Sequence, residues 1–185
     1  VMGAYSMALY ARKKGWWPGS FDNENLDYMR QLPHWSNQML NSDAVVCRFA
    51  DVQKQRKPFF IRPTLDSKCF AGHVTTWSAF RKWRDSIITS GDVNGGTLDG
   101  DTMVQVCAAK TIYREYRLWV VDTKVVTASL YKEGKESRHS ADVEPAIISY
   151  GERIARRWSP ARAYVLDVCT TPEGIRIVEA GCMNA

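Results

Sequence analysis

The chain has 185 residues, of which 45% are hydrophobic and 11% aromatic. This length and composition exclude a disordered chain and favour a packed core, either in one domain or in two small lobes. Lysine and arginine outnumber aspartate and glutamate by 25 to 20, an excess that suits a polyanionic small ligand but falls short of a nucleic-acid-binding stripe.

Cysteine usage and hydropathy indicate the compartment. The five cysteines include no CxxC pair and no paired spacing with histidine, which argues against a disulfide framework and against a zinc site. No apolar stretch approaches the roughly 20 residues of a membrane span, and no signal-peptide pattern opens the chain. We therefore expect a cytoplasmic protein, and the cytoplasm of a phage-infected host is equally compatible.

The start of the chain shows a short alternation of helix and strand signals. Apolar residues at helical spacing predict a helix over 2–14, which ends in a basic run and a glycine. A second short helix is predicted over 25–32 and a strand over 42–49. We therefore expect residues 1–57 to form an abbreviated α/β portion.

The middle of the chain continues with a strand, a helix and another strand. Residues 58–63 are apolar and end in proline, which predicts a strand. Residues 76–88 carry tryptophan, phenylalanine and isoleucine at helical spacing and predict an amphipathic helix. A loop rich in glycine and aspartate is expected over 90–101, and a strand follows over 103–107.

Two antiparallel strand pairs are predicted in the last part of the chain, with a helix over 146–158 between them. The first pair comprises residues 112–121 and 125–130, turned at 122–124. In its first strand Glu115 and Arg117 face one side of the sheet, because strand side chains alternate. Arg114 and Tyr116 face the other side.

The second pair is a terminal hairpin that brings acidic residues together. Two apolar runs, 163–168 and 175–178, deliver Asp167 and Glu179, and Asn184 lies just beyond. A short hairpin places Asp167 and Glu179 near each other across adjacent strands. Two carboxylates and a carboxamide form an all-oxygen set, which suits Mg²⁺ bridging substrate phosphates. A hairpin with ordinary edge carboxylates is the alternative.

Three stretches carry these features in a fixed order: Phe59 to Pro63 with Asp66 to Gly72, Tyr113 to Asp122 with Lys124 to Lys132, and the terminal hairpin. This ordered set resembles the ATP-grasp superfamily, most closely its small branch found in phages and bacteria. The resemblance implies an α+β ATP-grasp fold, in which two lobes with antiparallel sheets grip the nucleotide after a short α/β portion. It assigns residues 58–185 to the nucleotide-binding and catalytic region.

The resemblance also implies a set of phosphate-binding side chains. Arg62 stands where the superfamily usually places a lysine against the α- and β-phosphates. Lys68 lies in a small polar loop of the kind that folds over phosphates. Arg117 matches the arginine that contacts phosphate and the reacting carboxylate. Each of these could instead be a solvated side chain, and Asp66 could be the ion-pair partner of Arg62.

Further residues complete the implied nucleotide site. Lys132, at the end of the partner strand, could reach the same cleft, although a solvated lysine is the commoner outcome. Gln105, Val106 and Cys107 fit the segment whose backbone meets the adenine edge in the superfamily. An ordinary core strand is an equally good interpretation of these three residues.

The end of the chain departs from the superfamily pattern. The metal-binding glutamate is usually followed two residues later by asparagine, but Gly181 stands at that position. Either Asn184 supplies the amide oxygen, or Asp167 and Glu179 hold the metal with water. The sequence stops at Ala185, where relatives generally continue, and this could leave the site poorly ordered.

The implied activity is that of an ATP-dependent carboxylate–amine ligase that forms an amide or peptide bond through an acyl phosphate, with ATP and Mg²⁺ as cofactors. The acid and amine partners are undefined and include a peptide or a protein. The first alternative is a catalytically weakened nucleotide-binding or protein-interaction module. A nucleic-acid-modifying or nucleic-acid-binding protein is the other alternative, and the absence of a KxDG lysine motif argues against it.

Overall fold

The computed structural model describes residues 10–11, 13–16, 26–65, 69–90 and 98–183. Their contacts divide the chain into two compact units. The first unit runs from Asp43 to Lys110, and the second unit contains the residues up to Ser42 and from Thr111 onward. The expected division between residues 57 and 58 therefore falls inside the first unit, because 45–48 and 59–63 are strands of one sheet.

The helices and strands of the described residues are, in chain order, α1 (Tyr28–Trp35), β1 (Val45–Arg48), β2 (Phe59–Pro63), β3 (His73–Thr75), α2 (Trp77–Ser90), β4 (Met103–Ala108), β5 (Arg114–Val121), β6 (Lys124–Glu133), β7 (Glu136–Ser140), α3 (Pro145–Arg157), β8 (Ala163–Thr171) and β9 (Gly174–Gly181). Short 3-10 turns follow α1 and β1. None of the described helices is long and apolar enough to span a membrane.

The first unit is a four-stranded antiparallel sheet in the order β1-β4-β2-β3, with α2 on one face. Phe59 and Ile61 of β2 are buried against Phe80 of α2 in an aromatic core. Burying side chains of this size contributes about 1.5–3 kcal/mol each. Because β2 alternates, Phe60 and Arg62 lie on the face opposite α2.

The second unit is a five-stranded antiparallel sheet in the order β7-β6-β5-β8-β9. Helix α3 packs closely on one face, since a Cβ on Gly151 would overlap the side chain of Leu118 in β5. The apolar side chains Ile147 and Ile154 of α3 are buried. Leu118 therefore marks the helix-covered face, and the odd-numbered neighbours Glu115 and Arg117 lie on the opposite face.

Most predicted elements are confirmed, with shifted ends. The strands and helices predicted after residue 57 correspond to β2, α2, β4, β5, β6, α3, β8 and β9, and the strand predicted over 42–49 corresponds to β1. The helix predicted over 25–32 is α1, which begins later because Asp27 caps it by accepting a hydrogen bond from the Met29 N–H. Most of the helix predicted over 2–14, and residues 91–97 of the predicted loop, lie outside the described residues.

Two strands were missed by the sequence patterns. β3 and β7 are short and mostly exposed, and β7 consists entirely of polar residues. Neither strand alternates between apolar and polar side chains. Each is an edge strand of its sheet, so backbone pairing with one neighbour holds it in place.

Candidate functional site

An arginine–aspartate pair lies on the open face of the second unit's sheet. Arg117 of β5 and Asp167 of β8 are directly opposite each other. The Arg117 Nε donates to Asp167 Oδ1 and one terminal nitrogen donates to Oδ2, both at 2.9 Å. This bidentate geometry is the strongest form of a side-chain ion pair. Only 4% of the Asp167 side chain is exposed, against 29% for Arg117.

Glu179 adjoins this pair from the next strand. Asp167 is the cross-strand partner of Glu179, whereas the following residue, Val168, pairs with Ile177. Val178 is therefore an extra residue in β9, and this β-bulge sets the register that places Glu179 opposite Asp167. The predicted proximity of the two carboxylates across the hairpin is confirmed.

Burial makes this acidic pair costly. Burial raises the pKa of Asp167, the hydrogen bonds from Arg117 oppose that shift, and the nearby charge of Glu179 adds to it. The hydrogen bond with Asp167 raises the pKa of Arg117, so the arginine stays charged. A raised carboxyl pKa means that ionised Asp167 opposes folding above that pKa. A carboxylate held at such a cost is typical of a functional site.

A second polar cluster lies on the same face. Glu115 of β5 is only 8% exposed, and its carboxylate accepts two hydrogen bonds. Lys132 Nζ donates to Oε1 at 2.7 Å, and the Tyr131 hydroxyl donates to Oε2 at 2.9 Å. The Lys132 side chain remains 43% exposed, so its ammonium group is accessible to a ligand.

A second bulge explains how two consecutive residues reach one carboxylate. Glu115 pairs with Lys132 and Tyr116 pairs with Leu130, so Tyr131 is an extra residue in β6. The Tyr131 ring also lies beside the Arg117 guanidinium, with 5.6 Å between the ring centroid and Cζ. The two clusters thus form one continuous network on the face opposite α3.

Arg114 lies on the other side of the sheet, as strand alternation predicts. It donates to Glu133 at 2.7 Å and to Glu144 at 2.8 Å. A cavity of about 570 Å³ on this side is lined by these three residues and by Tyr116, among others. Because its charged groups already pair with one another, we place the chemistry on the Arg117 face instead.

The first unit contributes Arg62, which is half-buried in β2 on the face opposite α2. Gly72 lies against the same face, since a Cβ there would come within 2.8 Å of the Phe60 ring and 3.0 Å of Arg62 Cβ. The segment that returns from β2 therefore passes closely over the strand at Arg62. Lys68 lies in this segment but outside the described residues.

The segment expected to contact adenine forms part of β4, an inner strand of the first unit's sheet. Gln105 and Val106 have pairing partners in both β1 and β2, whereas Cys107 lies beyond the end of β1 and has its partner in β2. Strand pairing directs the backbone N–H and C=O groups of Gln105 and Val106 at neighbouring strands, so these two residues offer no edge to a base. The position of Gln105 and Val106 supports the core-strand interpretation, and an adenine contact stays a prediction for Cys107.

The carboxylates fit a divalent cation only in part. Among the residues that the structure describes, no three His, Cys, Asp or Glu side chains group as a metal site. Asp167 and Glu179 supply two carboxylates, and Asn184 lies outside the described residues. Mg²⁺ commonly binds one or two carboxylates and completes its shell with water and phosphate oxygens. Asp167 would have to release at least one oxygen from Arg117 to bind it.

The cysteines offer no nucleophile. All five are free thiols. Burial raises the pKa of Cys107 to about 11 and that of Cys169 to about 12, so both are protonated and unreactive at neutral pH. This agrees with their interpretation from sequence as small apolar side chains.

Sequence reasoning missed the role of Glu115 and Tyr131 in this network. The position of Glu115, two residues before Arg117 in a strand, indicates that both share a face. Nothing comparable signals Tyr131, because regular alternation would send it to the face opposite Lys132. The bulge in β6 overrides that alternation.

Comparisons with known proteins agree on the family. A family model described as an ATP-grasp domain, the third family of its clade, matches residues 3–185. No curated protein matches the sequence. Among solved structures, the ATP-grasp ligase PsnB in complex with a minimal precursor is 14% identical, with a TM-score of 0.56, over 87% of this chain and 53% of that one.

Two further structures show the same fold. The RimK domain ATP-grasp protein from Sphaerobacter thermophilus is 15% identical, with a TM-score of 0.59, over 86% of this chain and 59% of that one. The D-alanine–D-alanine ligase from Bacillus anthracis, complexed with ATP, is 9% identical, with a TM-score of 0.57, over 85% and 55%. The chain thus spans little more than half the length of these structures. Its two antiparallel sheets are those of the ATP-grasp fold, and the chain belongs to this family of ATP-grasp domains.

Proposed function

We propose that this chain is an ATP-dependent carboxylate–amine ligase that forms an amide or peptide bond through an acyl phosphate. The observation that carries the proposal is the group of Arg117, Asp167 and Glu179 on one open sheet face. It joins a bidentate arginine to two carboxylates, a set of charges that suits a nucleotide phosphate chain with its metal ion. The structural relatives named above include a D-alanine–D-alanine ligase and a ligase complexed with a precursor peptide.

The proposed roles follow from charge and position. Arg117 and Lys132 would bind the phosphate chain, because both are cations on the open face. Asp167 and Glu179, with Asn184 as a third candidate ligand, would hold Mg²⁺, which would neutralise charge that develops on the transferring phosphoryl group. Arg62 and Lys68 of the first unit would contribute further positive charge to the phosphates.

The reaction consists of two displacements. A carboxylate oxygen of the acid substrate forms a bond to the γ-phosphorus of ATP, and the bond to the β,γ-bridging oxygen breaks, which releases ADP. The amine nitrogen of the second substrate then bonds to the acyl carbon. Inorganic phosphate leaves with the former acyl oxygen, and the amine loses a proton to solvent. Because ATP and Mg²⁺ are the expected ligands, we propose the cytoplasm, bacterial or of a phage-infected host, as the compartment.

A second candidate function is a nucleotide-binding or protein-interaction module with little or no turnover. Gly181 favours it, because glycine offers no side-chain oxygen ligand where the superfamily usually has asparagine. The full engagement of Asp167 by Arg117 also favours it, because a metal must compete with that ion pair.

Trapping with hydroxylamine tests the ligase directly. The chain is incubated with ATP, Mg²⁺, pools of amino acids and acidic peptides, and hydroxylamine as the amine. We expect a hydroxamate to form together with an equal amount of ADP, and only when a carboxylate is present. ADP release that does not depend on any acid would contradict the ligase. ATP binding without ADP or hydroxamate would support the second candidate.

A further inference from the structure

Glu115 is the most buried acidic side chain of the open face after Asp167. Both of its oxygens are engaged, one by Lys132 and the other by Tyr131. A buried carboxylate with two partners fixes the positions of both, because moving either partner would leave a buried acceptor without its hydrogen bond. Glu115 thus determines where the Lys132 ammonium group lies.

Tyr131 connects this cluster to the arginine. Its hydroxyl donates to Glu115, while its ring contacts the Arg117 guanidinium. Burial and the negative charges of Asp167 and Glu115 raise the pKa of Tyr131. The hydroxyl therefore remains protonated at neutral pH and continues to donate. Through Tyr131, the positions of Lys132 and Arg117 are linked.

We propose that Glu115 and Tyr131 are positioning residues that hold Lys132 and Arg117 at a fixed spacing to bind the phosphate chain of the nucleotide. This inference rests on the proposed function and specifies how the open face recognises its ligand. Lys132 is the more exposed of the two cations and Arg117 the more constrained. The bulge in β6 is required for it, because only an extra residue puts Tyr131 and Lys132 on one face.

The alternative role for Glu115 is that of a simple counter-ion, and it predicts the opposite result. If Glu115 only neutralised Lys132, its removal would raise the positive potential of the face and tighten the binding of a polyanion. If it positions Lys132, its removal frees a flexible side chain and weakens that binding. The sign of the change in affinity therefore separates the two roles.

The experiment measures dissociation constants by calorimetry for three probes: ATP with Mg²⁺, inorganic triphosphate with Mg²⁺, and adenosine. The variants are Glu115→Gln and Tyr131→Phe, the second of which removes only the hydroxyl. Glu133→Gln is the matched control for the acid, because Glu133 is also paired with basic side chains but lies on the other face. Tyr113→Phe is the control for the phenol. All proteins are compared at a temperature at which they are folded.

We expect ATP and triphosphate to bind about tenfold more weakly to Glu115→Gln and at least about threefold more weakly to Tyr131→Phe. Adenosine affinity and both controls should be unchanged. Tighter binding to Glu115→Gln, or an equal loss for adenosine and triphosphate, would overturn the positioning role. If the unmodified chain binds no nucleotide, the proposed function fails and this inference fails with it. Normal nucleotide binding by both variants would overturn only the inference.

Discussion

Replacing Arg117 with alanine should reduce ligase turnover by about 10²- to 10³-fold, the usual loss when one charged contact to the transition state is removed. The same change should destabilise the fold by about 2 kcal/mol, because it leaves the Asp167 carboxylate buried without its cation. That loss is smaller than for a fully buried pair, since Arg117 is partly exposed. Single-turnover ADP formation and urea unfolding measure the two effects separately.

Arg114→Ala is the control for this prediction. Arg114 lies three residues away on the same strand, but it faces the opposite side and pairs with Glu133 and Glu144. Its removal should change turnover little. Arg117→Lys should fall between the wild type and Arg117→Ala, because lysine keeps the charge and loses the bidentate geometry. A loss of activity in Arg114→Ala that equals the loss in Arg117→Ala would show that the catalytic face is misassigned.

Replacing Glu179 with glutamine should abolish phosphoryl transfer while the protein stays folded. Without Mg²⁺, stability should change by no more than about 1 kcal/mol, because the Glu179 charge repels ionised Asp167 but attracts Arg117. With Mg²⁺ and ATP, the variant should lose the activity that depends on the second carboxylate. Single-turnover transfer from labelled ATP, at several Mg²⁺ concentrations, measures this loss.

Glu173→Gln serves as the matched change, since Glu173 lies exposed in the turn of the same hairpin. It should leave both stability and turnover unaltered. Wild-type activity in Glu179→Gln would assign Glu179 to the ordinary edge carboxylates of a hairpin. Unfolding of Glu179→Gln without ligand would instead make the residue structural.

The parts of the site that were predictable are those with regular local signals. Apolar runs flanking a polar turn identified the terminal hairpin, and hairpin geometry then brought Asp167 and Glu179 together. Strand alternation similarly separated Arg114 from Arg117. Both inferences needed only the period of two residues in a strand and one turn.

The parts that were not predictable depend on irregular or long-range structure. The bulges at Tyr131 and Val178 have no local sequence signal, yet each decides which side chains share a face. The position of β4 as an inner strand follows from the pairing of distant segments, and it engages the backbone of Gln105 on both sides. The burial of Asp167 and the cost of its charge likewise depend on tertiary packing.

The central claim is that the open face around Arg117, Asp167 and Glu179 binds ATP with Mg²⁺, and thermal unfolding of the chain tests it most directly. A ligand at about 100 times its dissociation constant adds roughly 2.7 kcal/mol to the free energy of unfolding. We therefore expect millimolar ATP to raise the melting temperature by several degrees, more with Mg²⁺ than without it, with adenosine having a smaller effect. A folded protein whose melting temperature is the same with and without ATP and Mg²⁺ would contradict the claim.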